Sequence, residues 1–137
     1  IYGLLRPSDE MSPYRLEMGT KYNFNGSKNL YEFWGDKIAR KINDELGSSL
    51  LFNLASEEYF SAISKYVDAD KTINFKFLSV SGGKEKVVGV IAKRARGEMA
   101  RFLIDNQIES KDGIEKFSCM GFKFKGLYNN CFTFINS

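Results

Sequence analysis

Lys93, Arg94 and Arg96 stand almost side by side in Ile91-Ala92-Lys93-Arg94-Ala95-Arg96-Gly97-Glu98. Cations this close repel one another unless an anion sits among them, so the chemistry they offer is the holding of a phosphate or another acidic group. A solvated basic helix face fits the same spacing, and a charge cluster alone does not decide between the two. The elements that must position these residues read as a strand running into a helix. Val87, Val88, Val90 and Ile91 form a β-branched run that predicts a strand over 86–92. Met99, Phe102 and Leu103 then recur at helical spacing, which predicts a helix from about Ala95 to Ile108. On that reading the cations occupy the helix start, where each opposes the macrodipole by roughly 0.3–1 kcal/mol unless a bound anion reverses the sign. Gly97 adds a cost of about 1 kcal/mol in helix propensity relative to Ala, which close approach of a ligand or backbone would explain.

The rest of the chain supplies candidate partners. Arg15 and Glu17, two apart in a loosely alternating stretch from Tyr14 to Tyr22, share a face if that stretch is a strand. Asn23 to Ser27 reads as a turn. Ser27 then caps a helix to Leu46 with Gly47 as its stop, and Leu30, Phe33, Trp34, Ile38, Ile42 and Leu46 mark its core stripe. Asp36 flanks that stripe, either as a solvated acid or as the border of a site. A short strand over 49–54 ends in Asn53-Leu54-Ala55-Ser56, where Ser56 reads first as the cap of a helix over 57–66, and Asn53 and Ser56 stand at a strand-to-helix turn of the kind that also borders sites. Thr72 to Val80 alternates as a half-buried strand, and Ser81-Gly82-Gly83-Lys84 turns it into a hairpin. Ser110 starts a short helix through Phe117. The strands Gly121–Lys125 and Cys131–Ile135 close a last hairpin through Asn129-Asn130, with Phe122, Phe124, Phe132 and Phe134 as its packing face.

These elements predict an α+β fold, a mixed sheet with hairpins and three main helices, in one domain over residues 1–137. Of the residues, 43% are hydrophobic and 15% aromatic, which excludes a disordered chain and supplies a core. No apolar run reaches the roughly 20 residues of a membrane helix. Net charge is +3, but residues 1–70 hold eight Lys and Arg against eleven Asp and Glu, and residues 71–137 hold twelve against six. The basic second half predicts an anionic partner, nucleic acid ahead of a membrane surface. With no histidine and only Cys119 and Cys131, the chain lacks the usual Cys/His zinc spacings and any His base. The two cysteines read as buried thiols in a reducing compartment. The chain opens on Ile1 and enters a patterned phrase at once, so residues upstream are expected.

Several phrases together resemble the bacterial YaaA family, which is linked to peroxide-stress resistance. They are Tyr2-Gly3-Leu4-Leu5-Arg6-Pro7, Pro13-Tyr14-Arg15-Leu16-Glu17-Met18-Gly19, Leu30-Tyr31-Glu32-Phe33-Trp34-Gly35-Asp36, Asn53-Leu54-Ala55-Ser56-Glu57-Glu58-Tyr59-Phe60 and the stretch from Ala92 to Phe102. They come in the family's order over nearly the whole chain. The resemblance implies the C-terminal part of the YaaA-type fold, a cytoplasmic protein that limits free iron and oxidative DNA damage, and DNA held in a positively charged cleft. The family's helix-hairpin-helix-like element belongs to its N-terminal part. The blocks mark Arg6, Arg15, Glu17, Asp36, Asn53, Ser56, Glu58, Lys93, Arg96 and Arg101 as candidate site residues. Two departures stand out: Arg94 replaces a usual Lys, and Phe122 replaces the Tyr of a Gly-Tyr-x-Phe phrase.

Two functions from different classes follow. In the first, a protective protein binds duplex DNA, with Arg15, Lys93, Arg94, Arg96 and Arg101 on phosphates. In the second, an enzyme acts on a nucleotide or a damaged base, with phosphate on Lys93 and Arg96 and with Glu17, Asp36, Glu58 or Lys93 as acid, base or nucleophile. Neither needs a cofactor or a metal, and direct iron binding by Asp and Glu alone lacks the ligand spacing.

Overall fold

The computed structural model describes residues 2–136 apart from Tyr22 and Phe24. It divides into two compact units, residues 1–47 with 57–67, and residues 48–56 with 68–137.

The second unit is built on a five-stranded mixed sheet. Its strands are β1 (Leu51–Asn53), β2 (Thr72–Ser81), β3 (Lys84–Lys86), β4 (Phe122–Tyr128) and β5 (Cys131–Asn136). They lie in the order β1-β2-β5-β4, with β3 hydrogen-bonded to the far end of β2. β1 and β5 run parallel to β2, while β3 and β4 close antiparallel hairpins. Both hairpin turns have two central residues at positive φ: Gly82 and Gly83 at 59° and 73°, and Asn129 and Asn130 at 47° and 58°. That geometry matches the right-handed twist of the strands, which is why Gly and Asn occupy it.

The parallel pairing of β2 with β5 sets Phe75 opposite Phe132 and Phe77 opposite Phe134. Their rings stack at centroid distances of 6.1 and 5.6 Å. Phe122 and Phe117 meet Phe77 edge-on at 5.3 and 6.1 Å. The packing face expected from the last hairpin is therefore core at Phe122, Phe132 and Phe134, while Phe124 lies at the rim, 39% exposed.

The long helix α4 (Gly89–Asp105) covers this aromatic layer with Ala92, Ala95, Met99 and Leu103. It corrects the expected strand over 86–92. β3 stops at Lys86, and the helix begins six residues earlier than the spacing of its larger apolar residues indicates. The reason lies in the alanines. Ala92 and Ala95 are small enough to sit flat against phenylalanine rings, and they extend the buried stripe of Met99 and Leu103 back to the β-branched run. Val90, which a buried strand would hide, is 76% exposed.

The first unit is helical. Among its described residues, Tyr14 to Lys21 form no strand, and the expected strand's last residue, Tyr22, lies outside the described set. The expected turn is present at Asn25 and Gly26, and its Phe24 also lies outside that set. The single helix expected over 28–46 is two, α1 (Leu30–Trp34) and α2 (Lys37–Leu46), broken where Gly35 takes φ +50°. Asn29 rather than Ser27 is the cap. Its Oδ1 accepts from Glu32 N at 2.9 Å, and Glu32 Oε2 accepts from Lys28 N at 2.8 Å, a reciprocal arrangement of the capping-box kind. Gly47 ends α2 at φ +55°, as its position predicted. The helix expected over 57–66 narrows to α3 (Glu57–Phe60) followed by turns, and the one expected after Ser110 is a single 3-10 turn over Ile114–Lys116.

The first turn of α4 has no acidic residue and its cap, Val88, makes no side-chain hydrogen bond. Val90→Glu should therefore raise stability by about 0.3–1 kcal/mol through the macrodipole, measured by urea denaturation. A loss instead would show that Val90 is packed as in a strand.

Candidate functional site

The basic residues were expected at a helix start, sharing an anion with free backbone N–H groups. The structure corrects the placement. Helical hydrogen bonding is under way at Ala92, whose N–H donates to Val88 O at 2.8 Å. Lys93 and Arg96 lie four and seven residues beyond Gly89, about 6 and 10 Å along the axis at 1.5 Å per residue. The free N–H groups of the first turn thus lie before Lys93 and Arg96 in the helix, not at those residues.

What α4 presents instead is an outward face. Because Ala92, Ala95, Met99 and Leu103 point to the sheet, Lys93, Arg94 and Arg101 emerge on the opposite side and are exposed, whereas Arg96 lies half-buried at the flank. Gly97 stands in the middle of that face with nothing within 4 Å of where a Cβ would be. Among the described residues, Lys93, Arg94 and Arg96 make no ion pair, and Arg101 makes one exposed pair with Asp105 at 3.4 Å. An exposed pair at this spacing contributes at most about 0.5 kcal/mol, so Arg101 is readily exchanged onto another anion. The unit that carries α4 holds twelve Lys and Arg against eight Asp and Glu.

Asn53 and Ser56 belong to the same unit. Asn53 Oδ1 accepts from Ala55 N at 3.1 Å, and its Nδ2 donates to Asn74 Oδ1 at 2.8 Å. Both functions of the amide are occupied in fastening β1 and its exit turn to β2. Ser56 is half-buried immediately before α3.

Arg6, Arg15, Glu17, Asp36 and Glu58 fall in the other unit. Arg6 reaches Glu45 Oε1 at 3.5 Å. Glu45 is held below the usual carboxylate range, chiefly by the hydrogen bond and charge of Lys41 and to a smaller degree by Arg6. Asp36 accepts from Arg40 Nε at 2.7 Å one helical turn on. Arg15 and Glu17 are exposed and, among the described residues, are not paired with each other.

Glu58 has a structural task that its position in the sequence does not announce. Its Oε1 accepts from Met18 N at 2.9 Å, and its backbone carbonyl accepts from Tyr31 Oη at 2.9 Å. Tyr59 Oη also donates to Leu16 O, and Asn43 Nδ2 to Tyr66 O. These bonds tie the 57–67 segment to the loop and helices before it. Burial, and then the Glu58 charge, raises the Tyr31 phenol above its ordinary pKa. The interactions that proved structural, through Tyr31, Asn43 and Asn74, are unmarked in the sequence because they join residues more than twenty positions apart.

Cys119 and Cys131 are free and half-buried. Burial pushes the Cys131 thiol up, partly offset by a hydrogen bond with Thr133 and by the Lys76 charge. A raised thiol holds less thiolate, the form that reacts with oxidants. Among the described residues, no three Cys, Asp or Glu side chains converge as metal ligands, and no helix is long and apolar enough to cross a membrane.

The fold and the exposed cations define an α+β protein with a basic helix face set on a mixed sheet. Residues 1–126 match the family described as "Peroxide stress protein YaaA", and the chain belongs to that family. It is 48% identical over 128 residues to a UPF0246 protein of Idiomarina loihiensis, a match covering 90% of this chain and 49% of that protein. It is 46% identical over 126 residues to a UPF0246 protein of Agathobacter rectalis, covering 91% and 50%. The chain spans about half the length of these curated relatives.

If Glu58 serves as an acceptor rather than as an acid or base, Glu58→Gln should retain stability while Glu58→Ala loses about 1–2 kcal/mol, the cost of leaving the Met18 N–H without its partner. Urea denaturation of both variants measures the difference, and equal losses would refute the assignment.

Proposed function

We propose that the chain is part of a peroxide-stress protective protein that binds duplex DNA through the outward face of α4. In this reading Lys93, Arg94 and Arg101 contact phosphates and Arg96 contributes from the flank. The observation that carries it is the combination of exposed Lys93 and Arg94, without carboxylate partners among the described residues, an Arg101 held only by its exposed pair with Asp105, and an open Gly97 between them. Unpaired cations on a rigid helix lose little by exchanging water and counterions for phosphates, and the affinity they supply is independent of sequence and falls with salt. Membership of the peroxide-stress family supports a protective role, and the charge excess of the unit that carries α4 supports an anionic partner. Arg15, in the other unit, is an exposed cation of the same kind.

Fluorescence anisotropy with a short duplex at several salt concentrations tests the reading. Replacing Lys93, Arg94 and Arg101 together by Ala should weaken binding and reduce the salt slope by about 0.9 for each lost phosphate contact. An unchanged slope would exclude the α4 face.

Gly97→Ala separates folding from binding. With open space at the Cβ position, the change should stabilise α4 by up to about 1 kcal/mol. If DNA backbone approaches this face closely, the same variant binds more weakly despite its higher melting temperature. Stabilisation with unaltered affinity would place the DNA elsewhere.

A further inference from the structure

One feature of the helical unit unused by the DNA reading is a cavity of about 430 Å³. Tyr31, Glu32 and Gly35 from the α1 end line one side, and Ser61, Ala62, Lys65 and Tyr66 from the turns after α3 line the other. Its volume falls within the roughly 300–1,000 Å³ typical of small-molecule sites. Its surface is chemically divided. Ala62, 6% exposed, supplies an apolar floor, and the phenol rings of Tyr31 and Tyr66 supply walls. Lys65 is exposed and has no ion pair among the described residues. Glu32 lines the cavity, and one of its carboxylate oxygens accepts from Lys28 N.

The fixed frame around the cavity makes it a formed site. Tyr31 is held by its hydrogen bond to Glu58 O, Tyr66 by the bond from Asn43 Nδ2 to its carbonyl, and Ser61 Oγ by its bond to Glu57 O. Gly35, at φ +50°, keeps the rim free of a side chain.

We propose that this cavity binds a nucleotide, with its base against the phenol rings, its phosphate on the Lys65 ammonium and a ring or amino N–H of the base donating to Glu32. Aromatic faces hold any base by stacking, and a single cation at the rim matches a single phosphate. The Glu32 carboxylate repels phosphate from the opposite wall and so sets the direction in which the ligand lies. The inference rests on residues separate from α4 and stands whether or not that face binds DNA.

Calorimetric titration of the chain with AMP, adenosine and inorganic phosphate tests it, with the single Trp34, next to Gly35, as a fluorescence reporter. AMP should bind saturably and more tightly than either fragment. Lys65→Ala should weaken AMP by roughly tenfold and leave adenosine unchanged. Tyr66→Ala should weaken both, and Ser61→Phe, at an exposed position, should fill the cavity and abolish binding while the circular dichroism spectrum stays the same. The proposal is overturned by the absence of saturable binding at millimolar AMP. Inorganic phosphate binding as tightly as AMP overturns it too, because the site would then hold an anion alone. So does wild-type affinity in both the Lys65 and Tyr66 variants.

Discussion

The structure of the sheet-bearing unit depends on the parallel pairing of β2 with β5. That pairing brings Phe75 and Phe77 into stacked contact with Phe132 and Phe134, residues more than fifty positions away, and creates a flat aromatic layer. A helix can cover such a layer closely only if the residues facing it are small near the rings and flexible at the margins. Ala92 and Ala95 meet the first requirement and Met99 the second. The orientation of α4 about its axis is fixed by this contact. Once those four side chains are buried, Lys93, Arg94 and Arg101 have no choice but the solvent side, so the basic face is a by-product of core packing as much as a feature in its own right.

The helical unit follows a different economy. Met18, Ala39 and Ala62 are its only fully buried apolar residues among those described, and its segments are joined by long-range hydrogen bonds through Glu58, Tyr31, Tyr59 and Asn43. A unit with a small core and polar ties leaves concave surface between its elements, and the aromatic layer of the other unit fills its interior with rings. The same chain thus carries a unit packed on aromatic rings that displays charge and a hydrogen-bonded frame that lines a cavity. Two carboxylates that looked available for chemistry, Asp36 and Glu58, are used by this frame, one on Arg40 and the other on Met18. Nature and position of a charged residue identify it as a candidate, but its hydrogen-bond partner decides what it is free to do.

Much of this was legible in the amino-acid order. Period-two alternation from Thr72 to Val80, and again on either side of Asn129-Asn130, defines strands because one face of a sheet must be apolar. Gly82-Gly83 and Asn129-Asn130 define the turns because few other residues tolerate two successive positive φ angles. Gly47 marks a helix end for a related reason. The α+β class, both hairpins, the aromatic core and the family resemblance all follow from such local rules. Only the tertiary structure decided the rest. Val87, Val88, Val90 and Ile91 are β-branched and read as strand by propensity, yet the helix claims Val88 onward as its cap and first turn because the aromatic layer rewards burial of Ala92 and Ala95, which are too small to register in a hydrophobic pattern. Gly35 splits a continuous apolar stripe into two helices. The free or engaged state of Arg96, Asp36, Glu58, Tyr31 and Lys65 was likewise undecided until the chain brought distant partners together, since hydrogen bonds and cavities between residues far apart in sequence leave no periodic trace in it.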